Sequence, residues 1–225
     1  MNFFNHKMLK VAFAEFIYYF SLIFKNDFFY KKENKFDAFG NVRINQGESL
    51  VLTCKTVNYD GNIKLAVAKQ QVVLDNKEML LKTDTLYFDR IKNIAYYPAK
   101  GTVYDSLTTI NSKRGTYISD NKKYKFEDKV VVNNPDFTLT SARMDFYTET
   151  KHAFFYGATK IIGEDYVIRC NQGFYNTDSK EGYFKKNASV DYNNRNIIGD
   201  SIYFNDEIKY ASATQNIRIT DTINN

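Results

Sequence analysis

The chain alternates apolar and polar residues over short stretches that are rich in Val, Ile, Phe and Tyr. The segments NVRIN (41–45), TLTSA (138–142) and SVDYN (189–193) have this two-residue period. It is the period of a β-strand with one buried face. No window combines the 3.6-residue apolar period of an amphipathic helix with capping residues at its ends. The pattern therefore predicts an all-β protein.

A Tyr-centred phrase recurs along the chain at nearly constant spacing, and each copy runs into a polar turn cluster. The steps between successive tyrosines are 29, 28, 30, 30, 28 and 28. This spacing indicates an internal repeat, which is the signature of a stacked architecture. The repeated tyrosines are Tyr30, Tyr59, Tyr87, Tyr117, Tyr147, Tyr175 and Tyr203.

A second phrase lies between the tyrosines, in which a β-branched pair follows a small or polar residue such as Gly40, Gly101 or Gly157. Each unit of about 29 residues thus contains two extended rungs joined by polar turns. A small or polar residue near the middle of each rung, as in LTCKT and IRCNQ, marks a bend. We therefore predict a stacked antiparallel meander of bent strands, forming an open-ended, solenoid-like β-jellyroll with a continuous apolar interior.

Alternation also predicts which residues face that interior, because neighbours along a strand point to opposite faces. The residues beside the repeated tyrosines are mostly apolar, so we expect them inside and the tyrosines outside. In the first unit, polar residues flank Tyr59, and Leu50 and Leu52 are the expected inward pair. The sequence by itself leaves open whether the interior is a groove or a dry, closed core. The predicted interior residues are Val42, Ile44, Leu86, Phe88, Ile118, Met144, Phe146, Phe174, Val190, Ile202, Phe204 and Ile217.

The composition argues against some classes of protein but does not identify the function. The aromatic share of 16%, from 19 Phe and 18 Tyr, is typical of strand-rich proteins. The net charge of +5 is small and its basic residues are spread along the chain, whereas a nucleic-acid-binding protein clusters them on one face. Two Pro and ten Gly argue against disorder.

The two cysteines, Cys54 and Cys170, lie four units apart. At ~4.8 Å per strand this separation is on the order of 38 Å, far beyond the reach of a disulfide. We interpret both as small interior residues. Neither His6 nor His152 belongs to a cluster with metal-ligand spacing, and no catalytic or nucleotide-binding motif is present. We therefore expect no enzyme activity, no metal and no cofactor.

The first 27 residues allow two interpretations. An apolar run with early lysines suggests a signal peptide, but Glu15 interrupts it and no small-residue cleavage site follows Phe24. The run is also too short to span a membrane. We favour a partial rung over a degenerate signal for 1–27. We expect 28–225 to form a single repetitive domain that is truncated at its C-terminal end.

Four stretches resemble the OstA-like proteins of the lipopolysaccharide-transport β-jellyroll superfamily, and their Bacteroidetes-type members in particular. They are KENKFDAFGNVRINQGESLVLTC (32–54), LKTDTLYFD (81–89), YTETKHAFFYGATKIIG (147–163) and GDSIYFND (199–206). The resemblance implies a periplasmic scaffold whose interior residues contact the acyl chains of lipopolysaccharide or lipid A. It also implies end-to-end association with further copies or with related β-jellyroll transport proteins, and no nucleic-acid partner.

Two other hypotheses remain open. The chain could be a structural or adhesive β-array that binds protein partners without conducting lipid. A polysaccharide-active β-helix enzyme is the weaker alternative, because the acidic residues near the turns do not recur in register.

Overall fold

A computed structural model describes residues 23–25, 28–46, 50–77, 79–192 and 194–221. Every regular element in these ranges is a β-strand, and every pairing is antiparallel, which confirms the predicted fold class. The strands are β1 (Ile23–Lys25), β2 (Phe28–Lys32), β3 (Lys35–Gln46), β4 (Leu50–Asp60), β5 (Leu65–Asp75), β6 (Met79–Asp89), β7 (Ile94–Tyr97), β8 (Gly101–Asp105), β9 (Thr108–Ser112), β10 (Arg114–Ile118), β11 (Lys123–Asn134), β12 (Phe137–Tyr147), β13 (His152–Gly163), β14 (Tyr166–Asn176), β15 (Glu181–Tyr192), β16 (Arg195–Asn205), β17 (Tyr210–Thr214) and β18 (Arg218–Asp221).

Most strands are complete rungs of 11 or 12 residues that pair with the rung before and the rung after. Four rungs are each divided into two strands, namely β1 with β2, β7 with β8, β9 with β10, and β17 with β18. Pro98 lies in the break between β7 and β8, where its missing N–H removes one ladder hydrogen bond. The meander is thus continuous through the chain even where a rung is interrupted.

Every complete rung bends at the same level. One rung of each pair carries one or two residues with positive φ there, such as Asp128 (φ 61°) and Lys129 (φ 55°), and the pairing register shifts across them. The facing rung carries a small residue at that level, which we call the spine. The spine residues recur at every twenty-ninth position and are Cys54, Thr83, Ser112, Ser141, Cys170 and Gly199.

Hydrogen bonds explain why the spine uses hydroxyl and thiol side chains. The Ser112 Oγ donates to the carbonyl of Arg114 at 2.9 Å, and the Ser141 Oγ donates to the carbonyl of Arg143 at 2.9 Å. The Cys54 Sγ donates in the same way to the carbonyl of Thr56 at 3.4 Å. The register shift at the bend is a β-bulge, which leaves a backbone carbonyl without its hydrogen bond to the neighbouring strand. The spine side chain provides a donor for that carbonyl.

The sheet folds along the spine into two halves that face each other. The first half ends in a row of turns at 61–64, 90–93, 119–122, 148–151, 177–180 and 206–209, which we call the first lip. The second half ends in the turns at the opposite rung ends, among them 135–136 and 164–165, which we call the second lip. The buried apolar side chains fill the space between the halves.

Backbone hydrogen bonds connect successive turns of the first lip. The N–H of the first turn residue donates to the carbonyl of the last residue in the preceding turn, as from Thr177 to Lys151 at 3.0 Å. That last residue is left-handed in every turn and is Lys in five of the six, for example Lys180 (φ 53°). The first lip is therefore a continuous hydrogen-bonded edge and not a set of independent loops.

The predicted outward orientation of the repeated tyrosines is wrong in three units, because Tyr59 also faces the interior and packs against the core. Tyr87, Tyr147 and Tyr203 lie half-buried on the outer face, but Tyr117 and Tyr175 are buried inside. Interior positions recur at a constant step of 29, whereas the steps between the tyrosines vary from 28 to 30. A shift of one residue moves a side chain to the other face of a strand. The constant row of inward residues is Tyr59, Phe88, Tyr117, Phe146, Tyr175 and Phe204.

Candidate functional site

The interior of the first half carries large rings that are separated by small residues, except where Tyr124 lies between Tyr117 and Phe146. Phe88 lies between Ala66 and Ala95 on the neighbouring rungs, and Phe204 lies between Gly182 and Ala211. Rings two strands apart are separated by roughly 9.6 Å, twice the ~4.8 Å strand spacing. The small residues leave room for the rings to lean toward the opposite half.

A second interior row, nearer the spine, uses glycine to make room for its rings. Gly115 lies between Tyr97 and Phe126 on the two adjacent rungs. A Cβ at Gly115 would be 2.3 Å from Cζ of Tyr97, which is closer than atoms can pack. Gly173 has the same role between Phe155 and Phe184. These rows make the first half an aromatic wall.

The interior of the second half is aliphatic. Its central row runs across the sheet through cross-strand partners such as Leu139, Ile161 and Ile168. Its members from β3 to β15 are almost completely buried, so the aromatic wall faces a continuous aliphatic wall. The row consists of Ile44, Leu52, Leu74, Leu81, Val103, Ile110, Val132, Leu139, Ile161, Ile168 and Val190.

The interior is filled by its own side chains in this conformation. The void beside Met79, Tyr97, Gly115 and Tyr124 has a volume of about 20 Å³, which is room for about one water molecule. The two lips meet over this core, and the ring of Tyr166 on the second half lies 4.8 Å from the ring of Phe204 on the first. Within the part of the chain that the structure describes, the interior is therefore a closed core and not an open groove.

Tyrosine hydroxyls are the polar groups of the aromatic wall. The Tyr97 hydroxyl is 2.6 Å from the Ser112 Oγ, and the Tyr124 hydroxyl is 4.0 Å from the Sδ of Met79 across the interior. Burial raises the pKa of Tyr97 to about 12. Burial also raises the pKa of Tyr124, and the nearby Tyr117 and Asp105 raise it further. These phenols are neutral at physiological pH and add no charge to the interior.

Nine of the twelve predicted interior residues are buried between the two halves. Leu50 and Leu52, expected inward in the first unit, are buried as well. Lipid contact by any of them stays a prediction. The nine are Val42, Ile44, Leu86, Phe88, Met144, Phe146, Val190, Ile202 and Phe204.

The interior position predicted for three residues is wrong. Ile118 and Phe174 are half-buried on the outer face, because Tyr117 and Tyr175 occupy the inward positions of their rungs. Phe174 packs there against His152, with ring centroids 4.9 Å apart. Ile217 keeps the inward position of its rung but is 54% exposed. Its rung, β17 and β18, pairs only with β16 among the described strands.

The sequence interpretation missed the large rings on the returning rungs. Tyr97, Phe126, Phe155 and Phe184 are all buried. They too recur at a constant step of 29, so a period search restricted to aromatic side chains finds them. The Tyr-centred phrase has a less regular spacing and does not mark this row.

Both cysteines are buried in the spine, as the sequence predicted, and they are not bonded to each other. Burial raises the pKa of the Cys54 thiol to about 11 and that of Cys170 to about 12. No group of three or more His, Cys, Asp or Glu side chains that could hold a metal ion occurs within the described ranges. In the same ranges, no helix is long and apolar enough to span a membrane.

These features define a class of protein, an antiparallel β-repeat scaffold with a continuous apolar interior. The family model of the OstA-like proteins matches residues 20–142, which is more than half of the chain. The chain therefore belongs to the OstA-like protein family, as the sequence resemblance indicated.

Among solved structures, the chain is similar to LptH from Pseudomonas aeruginosa, described as the LptA-homologous periplasmic component of the lipopolysaccharide transport device. The two share 14% sequence identity with a TM-score of 0.41, over 44% of this chain and 76% of LptH. No curated protein matches the chain.

Proposed function

We propose that this chain is a non-enzymatic periplasmic scaffold that shields the acyl chains of lipopolysaccharide on their way to the outer membrane. The observation that carries the proposal is the uninterrupted interior of a β-repeat in the OstA-like family, with one aromatic and one aliphatic wall. Burial of each CH₂ group in such an interior stabilises the complex by about 0.8 kcal/mol. A repetitive lining also suits transport, because it contains no single site that retains the lipid.

The interior must open for this function, since its own side chains fill it. Acyl chains would replace contacts between the aromatic and aliphatic walls with contacts to lipid of similar chemistry. Such an exchange changes the buried apolar area only slightly, because the side chains of the two walls stay out of water before and after loading. The closed core is then the unloaded state of the scaffold.

A photo-crosslinking amino acid at two matched positions tests the proposal. At Phe146, which is fully buried inside, the crosslinker should label lipopolysaccharide in cells. At Phe174, which lies on the outer face, it should label little or none. Thermal melts of both variants control for folding. Absence of labelling at Phe146 in a folded variant would exclude the conduit function.

The second candidate function is a structural or adhesive array that conducts no lipid. The outer face of the C-terminal rungs favours it, because aromatic side chains lie exposed or half-exposed side by side there. Tyr183 is 48% exposed, with its ring 5.1 Å from that of Tyr203. Labelling of proteins at Phe174, together with no lipid labelling at Phe146, would support this function instead.

We also propose association at the end of the array, with another copy or a related β-jellyroll protein. In the described part of the chain, β17 and β18 pair on one side only, and Ile219 in β18 is 62% exposed. An unprotected edge strand favours strand addition. Ile219→Lys should reduce self-association in sedimentation experiments. Ile208→Lys, in a turn of the first lip, is the matched control and should leave it unchanged.

A further inference from the structure

The two lips are held together by side chains near the C-terminal end of the array. The Lys209 Nζ in the first lip lies 3.0 Å from Asp206 on its own turn and 3.9 Å from Asp165 in the second lip. The same ammonium group lies 5.5 Å from the ring centroid of Tyr166. Tyr166 in turn contacts the ring of Phe204, and burial and the nearby charge of Asp206 raise the pKa of its hydroxyl. Lys209 therefore joins the lips through both charge and ring contacts.

Clefts lie on both sides of the second-lip turn at 164–165, which faces Lys209. One cleft of about 480 Å³ lies between this turn, the turn at 135–136 and Lys209. The other, of about 460 Å³, lies between this turn and the residues around Asn194. The turn at 164–165 is thus bordered by open space on two sides, although Tyr166 directly behind it is buried.

The contacts across the lips differ in kind from those along the spine. The spine is crossed by the backbone itself, whereas the contacts across the lips are made by side chains. Lys209 and Asp165 are 45% and 42% exposed, and ion pairs with such exposure are weak. Parting of the lips at this level would break side-chain contacts and leave the backbone at the spine intact, with its left-handed residues and small side chains as the hinge.

We propose that the lips separate between the turns 164–165 and 206–209 to form a lateral port through which acyl chains enter the interior, and that Lys209 is the residue that holds this port closed. The inference rests on the proposed function and adds the route by which the interior is loaded. An anionic lipid head group would compete with Asp165 for the ammonium group of Lys209. The approach of the lipid itself would then weaken the contact that closes the port.

A reversible crosslink across the port tests the route. Cys54→Ser and Cys170→Ser first remove the native thiols, and serine already occupies the equivalent spine positions 112 and 141. Asp165→Cys with Lys209→Cys, joined by a short reducible bis-maleimide, holds the lips together. Asp178→Cys with Glu207→Cys bridges neighbouring turns of the same lip and is the matched control.

The readout is lipid A that co-elutes with the protein after a fixed incubation. We expect at least tenfold less lipid A on the chain bridged across the port, restoration by reductant, and normal loading of the same-lip control. Equal loading with the port bridged overturns the inference. If the unbridged chain binds no lipid A, the proposed function is wrong. Opening of the lips at the port is then tested by a measurement that needs no ligand.

That measurement uses spin labels on the two lips, at Glu164 and Glu207 in the same Cys-free background. We expect one narrow distance distribution in the parent chain. Lys209→Ala should add a population at longer distance, because it removes the contact between the lips. Lys180→Ala, at the same turn position one repeat earlier, should leave the distribution unchanged. No change with Lys209→Ala overturns the role of Lys209.

Discussion

The ring centroids of Tyr166 and Phe204 lie 4.8 Å apart, although the two residues occupy opposite ends of their rungs. Tyr166 begins β14 and aligns with Tyr192 and Arg195, while Phe204 lies nine residues further along β16. Nine residues of extended strand span roughly 30 Å. The contact therefore exists only because the sheet folds along its spine until the two lips meet.

This contact predicts the cost of opening the core at the lips. Tyr166→Ala removes a buried ring, and we expect a loss of about 3 kcal/mol of unfolding free energy, the lower end of the range for aromatic-to-alanine changes. Tyr166→Phe keeps the ring and removes only the hydroxyl near Asp206, and we expect it to cost no more than about 1 kcal/mol. Urea unfolding of the two variants measures both. Similar losses would show that the hydroxyl, and not the ring, closes the lips.

Gly115 and Tyr97 are predicted to be energetically coupled. Because a Cβ at position 115 would overlap the ring of Tyr97, Gly115→Ala should destabilise the fold by about 1–3 kcal/mol through overpacking. In a chain that already carries Tyr97→Val, the same change should cost clearly less. A double-mutant cycle by chemical denaturation gives the coupling. Additive effects would mean that the glycine serves the backbone and not the ring.

The spine predicts which substitutions the cysteines accept. Cys170→Ser should cost no more than about 1 kcal/mol, since a serine hydroxyl supplies the same kind of donor at positions 112 and 141. Cys170→Leu should cost about 1–3 kcal/mol or more, because the added methyl groups have no space at the bend. Thermal melts rank the two variants. A leucine variant as stable as the serine variant would contradict tight packing at the spine.

The raised thiol pKa values predict slow cysteine modification in the native state. With a pKa of about 11, the fraction of Cys54 present as thiolate at pH 8 is roughly 200-fold smaller than that of a free cysteine with a pKa near 8.5. The rate should rise about tenfold per pH unit up to pH 10, because the thiolate is the reactive form. Reaction with a chromogenic disulfide measures it, with the denatured chain as control. Equal native and denatured rates would contradict burial of the thiols.

The sequence determined the class of fold because strand periodicity and repeat length are local properties. Val, Ile, Tyr and Phe at alternate positions specify strands, polar clusters specify the turns, and the regular length of the repeat unit specifies two rungs per repeat. The small residue in each rung marked the bend. Hence the β-repeat, the inward orientation of Phe88 and Phe146, and the buried cysteines were all predicted from the order of residues.

The face on which Tyr117 and Tyr175 lie was not predicted, because one residue of offset reverses a strand face and the tyrosines vary in spacing by that amount. Only the pairing of the strands shows that the residues with the constant period of 29 are the inward rings, which alternate between Tyr and Phe. Whether the interior is open or closed also depends on contacts between rungs that are far apart in sequence. The meeting of Tyr166 with Phe204, and of Lys209 with Asp165, is therefore a property of the folded sheet, since residues at opposite ends of different rungs become neighbours only once the spine has bent.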